Sequence, residues 1–328
     1  MPIDIENSKE TNQQKPMNED NGNIVGNNGD ETINIQDHTE KDVKIEPEKE
    51  EKTYNENSME TKEDNIGQLD GIVEITDPDA PLIILFGPTS CGKTMTLIRL
   101  TRYLREQGYS VEPDRSFRPS TDKDYESDCN KFNQTVNDPI AAAGTSGYML
   151  VDVILKGRKL CKILEAPGEY YFDPNYPEKQ YPYYMEKIRM AKNKKVWCAF
   201  VEPNWKDKKN RTDYVKRISD LKPNMRPRDK MIYIFNKIDE TNFVLSQGVV
   251  NEKSAIKEIK NYYPGIFTPF KCTLPIINWF REYDCSFVPF QTGAYTPQVD
   301  GNGKTVILYT PGPEEYVEKL WNEIRRNI

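Results

Sequence analysis

The chain stays polar for about 78 residues and then alternates between short apolar runs and helix-spaced segments. Leu82-Ile83-Ile84-Leu85-Phe86 is the first apolar run, a buried strand by its length and composition. Met95 through Leu100 to Leu104 has helical spacing, stopped by Gly108. From Tyr109 to Gly144 the pattern is polar, with helical spacing near Asp122 to Val136. Tyr148 to Leu155 and Lys159 to Leu164 predict two strands joined by the hairpin-like turn Lys156-Gly157-Arg158. Further on, the pattern predicts helices over Tyr183 to Asn193, Tyr214 to Leu221 and Glu252 to Tyr262, the second closed by Pro223. Strands are predicted over Val196 to Val201, Met231 to Phe235 and Cys285 to Phe290. Val299 to Tyr309, turning at Asp300-Gly301-Asn302-Gly303, predicts an inserted hairpin. Pro313 opens a last helix whose Val317, Leu320, Trp321 and Ile324 form an apolar stripe for the core. Such alternation predicts an α/β fold: a mostly parallel sheet with helices on both faces and one antiparallel hairpin around Gly157.

Composition separates the two parts. Residues 1–78 hold 21 acidic and 7 basic side chains, a net of −14, and one aromatic, Tyr54. Residues 79–328 hold 31 acidic and 38 basic side chains, a net of +7. So little apolar surface cannot offset the entropy of ordering, which predicts a disordered acidic tail over 1–78. It serves either as a tether or partner-binding arm, or as a plain solubilising leader. Within it, Ile72-Val73-Glu74-Ile75 is able to dock as a stray strand. Residues 79–328 suit one large domain. No apolar run approaches a membrane span, and Met1-Pro2-Ile3-Asp4-Ile5-Glu6 lacks the apolar core of a signal peptide. Six cysteines without a C-x-x-C pair argue against a zinc site and point to a reducing, cytoplasmic setting. The single histidine, His38, lies in the tail, which excludes imidazole catalysis and histidine-ligated metals from 79–328.

Candidate chemistry begins between the first strand and the first helix. Gly87-Pro88-Thr89-Ser90-Cys91-Gly92-Lys93-Thr94 has the form G-x-x-x-x-G-K-[ST]. In that setting backbone N–H groups and the helix N-terminus point at phosphate oxygens. The cradle comprises Gly87, Ser90, Cys91, Gly92, Lys93, Thr94 and Met95. Lys93 is placed to reach the β- and γ-phosphates, and the Thr94 hydroxyl to bind Mg²⁺. The bland alternative, a glycine turn, is disfavoured by the strand and helix on either side.

A second motif follows the strand Met231 to Phe235: Asn236-Lys237-Ile238-Asp239. The Asp239 carboxylate is able to accept hydrogen bonds from the guanine ring N–H and exocyclic amine, which adenine cannot offer. The Lys237 stem packs over a base, and Asn236 ties this loop to the phosphate loop.

Together these motifs resemble the translation-factor and Ras-related (TRAFAC) class of P-loop GTPases, over residues 80–328. Within that class the chain is similar to bacterial GTPase-like domains whose second switch reads P-G-E. The resemblance implies a P-loop NTPase three-layer sandwich, with insertions near 109–144 and 294–312, that binds GTP or GDP with Mg²⁺. It places the family's D-x-x-G at Glu165-Ala166-Pro167-Gly168, where Glu165 stands for the aspartate that holds Mg²⁺ through water. Gly168 N–H then contacts the γ-phosphate. Thr145, or its neighbour Ser146, takes the place of the first-switch threonine that closes on Mg²⁺. Thr292 and Gly293 fall where the family's backbone touches guanine. Glu169 stands where many relatives carry the glutamine that positions the attacking water. Ala142 occupies the place of a built-in arginine, leaving Arg115 and Arg118 of the first insertion as candidates. Because an arginine finger is worth about 10³ to 10⁵ in rate, slow hydrolysis is expected unless a partner supplies the charge.

The leading reading is a cytoplasmic GTP-binding switch working with an unidentified protein effector or activator. Its catalytic set is Lys93, Thr145, Gly168 and Glu169, and its metal set Thr94, Thr145 and Glu165. A non-hydrolysing nucleotide-binding scaffold is the second reading, motivated by Glu165 and Glu169. A P-loop kinase for a small metabolite is the third, although no acceptor site or arginine-rich lid is evident. The basic residues Lys192, Lys194, Lys195, Lys206, Lys208, Lys209 and Arg211 come with no nucleic-acid recognition motif and are expected to form a solvated surface.

Overall fold

The computed structural model describes residues 72–138, 147–203, 205, 207–272, 282–299, 301, 303 and 305–328. The tail over 1–71, Thr145 and Ser146 lie outside the described residues.

β1 (Leu82–Phe86) is buried at every position, as an apolar run must be when both faces of its sheet are covered. α1 (Lys93–Glu106) follows the phosphate loop. The first insertion contains β2 (Ser110–Pro113) and α2 (Lys123–Asn137). Asp122 caps α2, its carboxylate accepting from the Tyr125 N–H at 3.0 Å. The polar pattern concealed β2, in which Val111 alone is buried. β3 (Met149–Leu155) and β4 (Arg158–Glu165) form the expected antiparallel pair. The single turn α3 (Gly168–Tyr171) and α4 (Tyr183–Met190) come next. α4 stops short of its predicted end at Asn193. That side chain instead donates to the carbonyls of Asp77 (3.0 Å) and Ala80 (2.7 Å).

β5 (Lys195–Val201) is buried throughout. α5 (Lys208–Leu221) begins earlier than its apolar pattern, because no residue before Tyr214 is buried. Its true start is marked by Asp207, whose carboxylate accepts from the Asn210 N–H at 3.1 Å. β6 (Lys230–Phe235) is followed by a small ribbon, β7 (Val244–Ser246) with β8 (Val249–Val250). α6 (Glu252–Tyr262) and β9 (Ser286–Pro289) agree with the sequence reading. β10 (Gly293–Val299) pairs with β11 (Thr305–Pro311), and α7 (Glu314–Asn327) closes the chain. The inserted hairpin therefore starts six residues before its predicted first strand. Thr296, Pro297 and Gln298 hid β10 from an apolar pattern.

Among the described residues seven strands form one sheet in the order β2-β3-β4-β1-β5-β6-β9. β4, β1, β5, β6 and β9 are parallel; β2 and β3 add an antiparallel edge. The chain steps one way from β1 to β4 and the other way through β5, β6 and β9. Right-handed crossovers therefore put α1 on one face and α5 and α6 on the other. α2 and α7 both pack against α1. On the opposite face Phe86 meets Tyr214 of α5 and Tyr171 of α3, with ring centroids 6.1 and 5.1 Å apart. Ahead of β1, Val73 and Ile75 pack on the core and the Glu74 N–H donates to Phe117 O at 3.0 Å. That segment docks without joining the sheet.

Lys195 corrects the expectation of a solvated basic surface. It is 1% exposed, and its amine donates to the carbonyls of Ala191 (2.7 Å) and Asn193 (3.1 Å). Lys206 lies outside the described residues. Among the described residues no helix is long and apolar enough to cross a membrane.

Candidate functional site

In an open α/β sheet, ligands bind outside the carboxyl ends of the parallel strands. Five segments meet there: the phosphate loop after β1, Glu165 to Glu169 at the end of β4, Glu202 after β5, Asn236 to Asp239 after β6, and Gln291 to Gly293 after β9.

The phosphate loop is closed from within. Lys93, 5% exposed, donates to Gly87 O at 3.1 Å and Pro88 O at 2.8 Å, so its stem spans the loop. Ser90 and Gly92 both have positive φ, 64° and 90°, a backbone form found in anion-binding nests. Behind the loop Cys91 is buried, and that burial pushes its thiol up to about 11. The Cys91 carbonyl accepts from Asn236 Nδ2 at 2.9 Å, a bond across 145 positions that ties the two motifs together. A Cβ on Gly92 would lie 2.3 Å from that same Nδ2, so the junction requires glycine.

Beside the loop, the Thr94 hydroxyl donates to Glu165 Oε1 at 3.0 Å. Glu165 is buried. The Glu169 carboxylate accepts from the Thr89 hydroxyl at 3.1 Å. Gly168 presses on the loop so closely that a Cβ would sit 2.1 Å from Thr89 N and 2.3 Å from Pro88 C. Tyr171 and Phe172, both buried, anchor the segment in the aromatic core directly afterwards. A hydroxyl and a carboxylate oxygen side by side at a phosphate loop suit a hard divalent cation that takes oxygen ligands.

At the far end, Lys237 is held in the left-handed region (φ 58°), and its amine pairs with Glu202 at 2.7 Å. Partial burial pulls the Lys237 amine down, but Glu202 outweighs it and holds the amine above its ordinary value. Asp239 is exposed on the cleft wall. The Thr292 carbonyl accepts from Arg99 Nη1 at 3.1 Å and from the Tyr309 hydroxyl at 2.6 Å. Arg99 also donates to Gly312 O (2.8 Å) and Pro313 O, and lies over the Phe290 ring. Desolvation lowers the pKa of this buried guanidinium.

Four of these segments line one cleft of about 820 Å³, within the range of ligand pockets, and Glu202 stands behind Lys237. The cleft brings together Ser90, Gly92, Lys93, Thr94 and Met95 with Glu165, Gly168 and Glu169. Asn236, Lys237, Asp239, Thr292 and Gly293 line it too, while the expected Thr145 lies outside the described residues. Gly87 and Cys91 stand behind the wall, shaping the loop. Arg115 and Arg118 do not line the cleft. Arg115 donates to Asn130 Oδ1 at 2.7 Å, and Arg118 pairs with Asp122 at 2.7 Å and donates to Ile72 O at 2.9 Å. Sequence reasoning missed Tyr295 and Ile307 in the cleft, and Arg99 and Glu202 around it. Glu202 carried a usable signal, since a polar residue directly after a buried parallel strand points at such a site. Arg99, one charge within a helical pattern, carried none.

A central strand followed by G-x-x-x-x-G-K-T, a mostly parallel sheet with an antiparallel edge pair, and helices on both faces are the features of a P-loop NTPase α/β fold. Among solved structures the chain is similar to nucleolar GTP-binding protein 1 of Plasmodium falciparum, at 15% identity and TM-score 0.37, covering 78% of this chain and 91% of that one. It is also similar to Methanosarcina barkeri Roco2 bound to GDP, at 13% identity and TM-score 0.32, covering 78% and 52%. A third is the GTPase-like domain of Ski7 from S. cerevisiae, bound to GDP and inorganic phosphate, at 14% identity and TM-score 0.38, covering 77% and 51%. The chain spans about half the length of the last two. No protein-family model matches the chain, and no curated protein matches it.

Proposed function

We propose that this chain is a guanine-nucleotide switch that binds GTP and GDP with Mg²⁺ and hydrolyses GTP slowly to GDP and phosphate. The observation that carries the reading is the Asn236–Cys91 hydrogen bond of 2.9 Å, which joins a base-reading loop to a phosphate loop across one cleft. Asp239 reads the guanine edge, the Lys237 stem covers one face of the base with its amine held by Glu202, and the backbone of Thr292 and Gly293 closes the loop around it. Lys93 and the N-terminus of α1 hold the phosphates. Thr94 and Glu165, together with Thr145 as the resemblance implies, would hold Mg²⁺, which would neutralise phosphate charge. In hydrolysis a water attacks the γ-phosphorus in line, the bond to the β,γ-bridging oxygen breaks, and GDP leaves. In this reading Glu169 orients that water, and Gly168 N–H contacts the γ-phosphate. Among the described residues no arginine lines the cleft. A protein partner that inserts one is the activator this reading calls for. The cytoplasm is the compartment it assumes, in keeping with six free cysteines.

The test is binding of labelled GTP and ATP to the full chain with Mg²⁺, wild type beside Asp239→Ala. A site built to hydrogen-bond the guanine edge should favour GTP by at least about 100-fold, and Asp239→Ala should remove that preference. Equal binding of GTP and ATP by the wild type would sink the reading. One observation favours a second reading, a nucleotide-binding scaffold that does not hydrolyse: Glu169 is engaged by Thr89 and brings negative charge to the phosphate end. Mg²⁺-dependent phosphate release that Lys93→Ala abolishes would exclude it.

A further inference from the structure

We propose that the β10–β11 hairpin is a lid over the base end of the bound nucleotide, with Tyr295 stacking on the purine face opposite the Lys237 stem. This inference rests on the guanine-nucleotide reading and adds a recognition element to it.

The hairpin presents an aromatic and aliphatic face at the right place. Its register pairs Tyr295 with Tyr309 and Pro297 with Ile307, which puts these four side chains on one face. Tyr295 and Ile307 line the cleft together with Lys237 and Asp239. They are 43% and 47% exposed, two large apolar side chains half-open in a cleft whose other walls are mainly backbone, charge and amide. A planar apolar ligand that covers both would remove that surface from water. A purine has such a face, and stacking on an aromatic ring suits any base. Asp239 is close enough to act on the Tyr295 phenol. Partial desolvation raises its pKa, the Thr292 hydrogen bond opposes, and the Asp239 carboxylate raises it further.

The root of the hairpin is built to hold the ring still. The Tyr295 hydroxyl donates to Thr292 Oγ1 at 3.0 Å, and the Tyr309 hydroxyl donates to Thr292 O at 2.6 Å. Arg99 holds the same carbonyl from α1. Gly293 passes so close to β11 that a Cβ would lie 2.2 Å from Thr310 O. The ring is therefore pre-placed, and a bound base has little side-chain entropy to immobilise.

The experiment measures GDP affinity and the dissociation rate of fluorescent GDP for the full chain with Mg²⁺, with circular dichroism checking each variant's fold. Tyr295→Ala should weaken GDP about tenfold, mostly through faster dissociation. Tyr295→Phe should stay within about twofold of wild type, because the stacking ring remains. Pyrophosphate, which has no base, should bind wild type and Tyr295→Ala alike. Ile307→Ser on the facing strand is the second variant, expected to weaken GDP about threefold. Unchanged GDP binding in Tyr295→Ala and Ile307→Ser would overturn the lid and leave the guanine reading standing. A loss in Tyr295→Phe as large as in Tyr295→Ala would also overturn it, since the hydroxyl's tie to Thr292 would then be what matters. A wild type that binds no guanine nucleotide would overturn the lid and the reading beneath it.

Discussion

Single residues set how closely the loops around the cleft approach one another. Gly168 is the tightest case, with room for a hydrogen and none for a methyl against the backbone of the phosphate loop. Backbone cannot swing aside as a side-chain end can, so Gly168→Ala must push Pro88 and Thr89 away from Lys93. The expected cost is ~2 kcal/mol of stability, the usual scale for overpacking, and about a 100-fold loss of GTP affinity. Urea unfolding and calorimetric titration check the two parts; a variant that binds GTP like wild type would mean that the loop yields without consequence. Glu165 belongs to the same scale. Its longer arm departs from the aspartate of the family pattern, and here its carboxylate meets the Thr94 hydroxyl directly at 3.0 Å.

At the scale of elements, the cleft is held together by ties between segments far apart in the chain. Arg99 is the main one. From α1 it reaches the Thr292 carbonyl after β9 and the carbonyls of Gly312 and Pro313 ahead of α7. Arg99→Met keeps much of the stem and removes the donors, so the three carbonyls lose their common tie to α1, and Thr292 O keeps only its bonds from within its own end of the chain, such as the Tyr309 hydroxyl. That should cost ~2–3 kcal/mol in urea unfolding and weaken GDP more than pyrophosphate, because it loosens the base end. Equal losses for the two ligands would place its effect on the phosphate loop instead. The segment from Glu165 to Glu169 is tied differently. Tyr171 and Phe172 bury themselves immediately after Gly168, so α3 is anchored in the aromatic core on one side of the segment.

For the whole molecule, the two ends of the sheet divide the work. The carboxyl ends hold the cleft, and the amino ends hold buried charge that bears on stability. Lys162, fully buried on β4 beside the first residue of β1, pairs with Asp114 at 2.5 Å and Asp152 at 2.7 Å, fastening the first insertion to the sheet. Lys195 stands at the start of β5, where its backbone N–H donates to Asp229 Oδ1 at 2.9 Å while its amine donates to the carbonyls of Ala191 and Asn193, and desolvation lowers that amine to about 8 from the ordinary 10.5. Between those values the unfolded chain binds more protons than the folded one, so this group raises stability as pH rises through that window. Below about pH 8 both states are protonated and its contribution is flat. Relative to Lys195→Met, the wild type should gain on the order of 2 kcal/mol between about pH 7 and 9.5. Urea unfolding of both proteins at the two pH values checks it; a constant difference would show that the amine stays charged.

The sequence alone determined the alternation of strands and helices, the phosphate loop, the N-K-I-D loop and the segment Glu165 to Glu169. Their demands are local: an unbroken apolar run for a strand buried on both faces, and glycine where φ is positive or backbone meets backbone. β2 and β10 stayed hidden because edge and insertion strands carry too few buried residues to mark a period. Tertiary structure alone decided that Glu202 holds Lys237, that Arg99 holds Thr292 across 193 positions, and that Tyr295 and Ile307 reach the cleft. A chain's pattern records whether a position is buried, and only the packed sheet decides which distant residue it is buried against.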